Sequence, residues 1–189
     1  MSHMDRVSHA VDQVILDHSQ PMTLQRAKAL GASMADGGST PSSLILRSCA
    51  IGPTTCAAMS TGISASVFLL HVDLGSNPIS DTGASALGEA LGHSVSLTRL
   101  SLASCQIGTA GCAAVSEGVQ KSRTLRDLDM SDNCCVQQHV MPSSLLASGG
   151  GGGVVYNLKA CCSLSAALRG SSTLTKLNLS LCGITGTSC

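Results

Sequence analysis

Ten cysteines and six histidines are the residues of this 189-residue chain with the most chemistry to offer. Zinc half-sites hold their ligands about two to four residues apart. The cysteines keep another spacing: Cys49/Cys56, Cys105/Cys112 and Cys182/Cys189 each read Cys-x6-Cys, while Cys134/Cys135 and Cys161/Cys162 are doublets. The histidines (His3, His9, His18, His71, His93 and His139) lack zinc-hydrolase spacing, and no Gly-x-Ser-x-Gly nucleophile elbow occurs. The glycine run Gly149 to Gly153 is not followed by the Lys-Ser/Thr of a phosphate loop. These residues therefore predict no catalytic group, no metal and no cofactor, and the cysteines are expected to pack as reduced thiols. Asn178-Leu179-Ser180 matches a glycosylation sequon, but inside a predicted strand.

The elements that must position these side chains follow from a period. Leu69-x-x-Val72-x-Leu74-x-x-Asn77-x-Ile79 returns 28 residues later as Leu97-x-x-Leu100-x-Leu102-x-x-Cys105-x-Ile107. One step back gives Leu44-x-Leu46-x-x-Cys49-x-Ile51, and one step forward gives Leu125-x-x-Leu128-x-Met130-x-x-Asn133-x-Cys135. A fifth copy, Leu174-x-x-Leu177-x-Leu179-x-x-Cys182-x-Ile184, comes one period plus 21 residues later. The excess is placed at residues 137–159, whose Gly149 to Gly153 run is too poor in apolar surface to order itself and reads as an inserted loop.

Between the phrases the spacing becomes helical: Gly83, Ala86, Leu87, Ala90 and Leu91, then Gly111, Ala114, Val115, Gly118 and Val119. The same phase returns as Met59 and Ile63, and as Leu164 and Leu168 after the insertion. Val7, Val11, Val14 and Ile15, and then Leu24, Ala27, Leu30 and Met34, also have helical spacing, with Pro21 between them. Residues 1–40 thus predict a helical segment, either a degenerate repeat or a cap. Regular repeats follow over 41–136, and residues 160–189 hold a resumed helix and an incomplete final repeat.

From about Pro41 to Cys189 the phrases Val72-Asp73-Leu74-Gly75-Ser76-Asn77-Pro78-Ile79, Leu100-Ser101-Leu102-Ala103-Ser104-Cys105-Gln106-Ile107 and Leu177-Asn178-Leu179-Ser180-Leu181-Cys182-Gly183-Ile184 resemble the ribonuclease-inhibitor-like class of leucine-rich repeats. The resemblance implies an α/β solenoid, a curved horseshoe fragment with parallel strands on the concave face and helices on the convex face. Proteins of this class include inhibitors, immune-receptor sensor regions, GTPase activators and structural proteins of cilia. The fold alone leaves the function open.

Composition suits a solenoid. One Phe, one Tyr and no Trp leave a core of aliphatic residues and Cys, and the mean hydropathy is +0.30. A formal net charge of zero supplies no basic field for nucleic acid. Met1 to Gln20 shows no secretory apolar core and no apolar run is long enough to span a bilayer, so the expectation is a cytoplasmic protein. Cys189 falls after a strand and turn, before a helix, which predicts a fragment or a chain that stacks on a further repeat or another chain.

Within Leu-x-x-Leu-x-Leu the leucines enter the core and their neighbours alternate onto the concave face. That selects Arg47, His71, Asp73, Arg99, Ser101, Asp127, Asp129, Lys176 and Asn178 as candidate partner-binding residues, with Arg99 between Asp73 and the Asp127/Asp129 pair. The expected function is a non-enzymatic scaffold binding another protein through this face. The alternatives are a GTPase-activating protein of the same class, in which Arg47 or Arg99 would act, and a ciliary or cytoskeletal structural component.

Overall fold

The computed structural model describes residues 13–15, 21–36, 41–134, 138–140, 154–156 and 159–182. Strand and helix alternate: β1 (Gln13–Ile15), α1 (Leu24–Ala35), β2 (Ser43–Ile45), α2 (Pro53–Ala65), β3 (His71–Asp73), α3 (Ser80–His93), β4 (Arg99–Ser101), α4 (Thr109–Lys121) and β5 (Asp127–Asp129). Then come β6 (Gln138–Val140), β7 (Val154–Tyr156), α5 (Lys159–Gly170) and β8 (Lys176–Asn178). Six strands form one parallel sheet in the order β1-β2-β3-β4-β5-β8, and each helix packs on the next along one side. This is an α/β repeat solenoid.

The 28-residue period is the register of the sheet. His71 aligns with Ser43, Arg99 with His71, and Asp127 with Arg99. The middle residues of β2 to β5, Leu44, Val72, Leu100 and Leu128, are buried, as are Leu46, Leu74, Leu102 and Met130 two residues on, whereas Val14 of β1 and Leu177 of β8 are only partly buried. Each strand has only three residues because the backbone then turns inward, and that turn needs its polar groups satisfied.

Asn77 satisfies them for one turn. Its Nδ2 donates to the carbonyls of Leu46, Leu74 and Gly75, while its Oδ1 accepts from the backbone N–H of Cys49 and Ile51. Asn133 repeats the arrangement with the carbonyls of Leu102, Met130 and Ser131 and the N–H groups of Cys105 and Ile107. The intervening cysteines do less with the same position: Cys105 Sγ donates to Leu74 O at 3.2 Å and Cys182 Sγ to Met130 O at 2.9 Å. Asparagine thus clamps two successive turns, whereas cysteine mainly fills space.

A second ladder closes the helix ends. Ser66, Ser94, Ser122 and Ser171 each follow a helix, and each Oγ accepts from the N–H two and three residues ahead, the latter being Leu69, Leu97, Leu125 and Leu174. Strands β3, β4, β5 and β8 are therefore entered through the same serine turn.

Three sequence expectations are corrected. Residues 13–15 form strand rather than helix, aligned with Ser43 to Ile45, because pairing with β2 outweighs the local helical spacing of Val14 and Ile15; Val7 and Val11 lie outside the described residues. The inserted segment is not wholly loop, since Gln138–Val140 and Val154–Tyr156 pair antiparallel in a separate two-stranded sheet. Its direct consequence for the main sheet is small: β5 pairs straight to β8 across the insertion. In α5 the burial shifts from the expected Leu164 and Leu168 to Ala167, and Leu168 remains 48% exposed. Among the described helices α5 packs only on α4.

Candidate functional site

Strands present their first and third residues away from the helices, which places side chains in rungs across the sheet. One rung runs Ser43, His71, Arg99, Asp127 and Lys176; the next runs Ile45, Asp73, Ser101, Asp129 and Asn178. Arg47 stands just beyond the second rung. The structure gathers seven of the nine candidates, His71, Arg99, Ser101, Asp127, Asp129, Lys176 and Asn178, around one open concavity of about 290 Å³. Arg47 and Asp73 lie outside its wall.

Their charges are arranged differently from the simple alternation. Asp73 is held by Arg47, with Nε to Oδ2 at 2.9 Å, rather than by Arg99. Asp127 meets Lys176 at 3.6 Å. Arg99 is exposed and forms no ion pair among the described residues. Both pairs are open to solvent on at least one side, so each contributes about 0–1 kcal/mol to stability.

Three candidates also have a structural duty. Asp73 Oδ1 accepts from Gly75 N, Asp129 Oδ1 from Ser131 N and Oγ, and Asn178 Oδ1 from Ser180 N and Oγ. These local turns end the strand and occupy one side-chain oxygen in each case. Ser101 holds the same rung position without making such a turn, and its buried hydroxyl oxygen has no hydrogen-bond partner.

His71 Nδ1 lies 3.2 Å from Ser43 Oγ. Burial pushes its pKa below the ordinary 6.5, the Arg99 guanidinium pushes the same way, and Asp73 opposes both. His71 is therefore a neutral ring near pH 7, and Arg99 supplies the positive charge of this rung.

The cysteines are mostly core. Cys49, Cys56, Cys105 and Cys182 are buried, and burial raises the pKa of Cys56 to about 12 and that of Cys105 to about 11. Such thiols carry no nucleophilic thiolate at neutral pH. Cys134 and Cys162 are exposed. Cys112 departs from the expectation of reduced thiols throughout, because it is disulfide-bonded. Among the described residues no three His, Cys, Asp or Glu side chains converge as a metal cage, and no helix is long and apolar enough to cross a membrane.

Sequence reasoning missed Asp81. It sits in the first turn of α3, yet its Oδ1 accepts from Gly108 N at 2.6 Å and Gly111 N at 2.9 Å, so it caps α4 of the next repeat. Helix α4 has no side-chain cap of its own at Gly108. The available signal was a lone acid in a helix start followed 27 residues later by Gly108.

The sequence matches the family model described as Leucine Rich repeat over residues 65–88, 93–116, 121–137 and 170–189. No curated protein matches the chain. Among solved structures, the tropomodulin C-terminal domain of Caenorhabditis elegans is similar with a TM-score of 0.64 and 12% identity, covering 86% of each chain. A structure described as Leiomodin-1 Actin-Binding Site 2 is similar with a TM-score of 0.60 and 16% identity, covering 80% of this chain and 77% of the other.

Proposed function

Because this chain is a leucine-rich repeat protein, we propose that it is a non-enzymatic, cytoplasmic interaction module whose open sheet face holds a protein partner. One observation carries the reading. Side chains from four adjacent strands converge on a single concavity in which Arg99 has no ion pair and Ser101 has an unpartnered hydroxyl among the described residues. A stack of repeats creates such an extended face without further elaboration. Within this reading residues 1–40 supply a degenerate repeat or cap and residues 137–159 an insertion.

The test compares partners captured by the wild type with those captured by Arg99→Glu and Asp129→Lys. Loss of the same partner in both variants, with unchanged circular dichroism, supports the face; full retention in both rejects it. A cytoskeletal role is the second reading, favoured by the similarity to a structure described as an actin-binding site. Co-sedimentation with filamentous actin decides that version, and a protein that stays in the supernatant eliminates it.

A further inference from the structure

The turns between helices and strands form a rim separate from the sheet face. Each turn repeats the serine-to-leucine frame, and the exposure of the positions between and after those anchors differs from frame to frame. In the frame beginning at Ser66 they are Val67, Phe68 and Leu70, all exposed. In the next frame Val95 is exposed, and in the one after it Arg123 and Arg126 are exposed. The rim therefore changes from apolar to basic within two repeat steps.

The serine turn itself does not require an aromatic residue. Ser96, Thr124 and Thr173 occupy the Phe68 position in the following frames, and their turns close with the same serine hydrogen bonds. Yet the chain's one Phe stands there 53% exposed. An aromatic residue left in solvent where serine suffices marks a contact surface.

The basic end is equally unspent. Lys121, Arg123 and Arg126 are exposed and form no ion pair among the described residues. Between the two ends, Gly92, His93, Val95, Lys121, Arg123 and Thr124 border a concavity of about 290 Å³.

We propose that this rim docks a short segment of a partner protein in which apolar side chains are followed by carboxylates. The apolar residues cover Val67, Phe68, Leu70 and Val95, one side chain enters the concavity, and the carboxylates meet Lys121, Arg123 and Arg126. With strands about 4.8 Å apart, three frames span roughly 10 Å, the length of about three to four extended residues. An anionic bilayer offers the same two chemistries, but a flat surface cannot enter a concavity lying between the apolar and basic ends, so a peptide is the better occupant.

The experiment pans the full chain against a displayed octapeptide library and measures enriched peptides by fluorescence anisotropy. Apolar-then-acidic peptides are expected, with affinity falling about tenfold or more in Phe68→Ser and in Arg123→Glu. Only the Arg123 contribution should fade with added salt. Phe68→Ser places in this frame the residue found at Ser96 of the next, and an unchanged circular dichroism spectrum and thermal midpoint verify its fold. Arg99→Glu should leave peptide binding unchanged, which separates this rim from the sheet face. Absence of such peptides, or affinities indifferent to both rim variants, overturns the proposal. So does binding to phosphatidylserine vesicles that is lost in the same variants while peptides fail to bind.

Discussion

Asn133 does with one side chain what most residues need several partners to do: two N–H bonds shared among three carbonyls and an oxygen that accepts twice hold two turns together. Asn133→Ala leaves the buried N–H groups of Cys105 and Ile107 without acceptors and should lower stability by about 3–5 kcal/mol. Urea denaturation measures this, and a change below about 1 kcal/mol would contradict the clamp. His71 makes a pH-dependent prediction. Its folded pKa is lowered, so the unfolded chain binds the proton more readily; the stability contribution is intact above pH 6.5 and is lost as pH falls below that value. Arg99→Gln removes one of the two depressing causes, so the His71 pKa should rise toward its ordinary value in an NMR titration. An unchanged titration would show that burial alone sets it.

Between elements, the contacts that matter are too close or too specific for bulk. Asp81 reaches from α3 to cap α4, combining hydrogen bonds with the favourable placement of an anion at a helix start. Asp81→Ala should cost about 1–2 kcal/mol, read as a lower thermal midpoint; a neutral result would mean that solvent replaces the cap. Helices α3 and α4 also touch through glycines: a Cβ on Gly118 would run into the Gly88 backbone, whereas one on Gly92 would meet only the side chain of Lys121. Helix propensity favours alanine at both positions. Gly118→Ala should nonetheless destabilise by about 1–3 kcal/mol, while Gly92→Ala stays within about 1 kcal/mol of wild type. Equal effects in chemical denaturation would remove the close approach as their cause.

Among the described elements each repeat contacts only its neighbours, so stability is a sum of interfaces rather than the property of one central core. Leu102 lies in the middle of the stack and is fully buried. Leu102→Ala should cost about 2–5 kcal/mol in denaturant unfolding, and a loss below about 1 kcal/mol would place the residue outside the core. The same linear design explains why an insertion is tolerated. Strands β5 and β8 pair as if consecutive, although 49 residues separate Asp127 from Lys176.

Much of the architecture was legible because it is local and repeated. The alternation along Leu97 to Leu102 selects buried and open sides before any strand has a neighbour, and 28 residues later the choice is made again. The candidate rung of His71, Arg99, Asp127 and Lys176 follows from that alternation together with the register. What sequence could not supply is lateral choice between repeats. Asp73 has Arg47 and Arg99 at comparable separations in the chain, and only the path of the turn after β2 brings Arg47 within 2.9 Å. Asp81 caps a helix other than its own, Val14 and Ile15 join a strand because β2 offers an edge, and Leu168 stays exposed because no described helix covers it. The period determined which residues enter the core. Three-dimensional packing decided which of the remaining polar and apolar groups meet, because those meetings join residues on different repeats, where sequence spacing alone sets no distance.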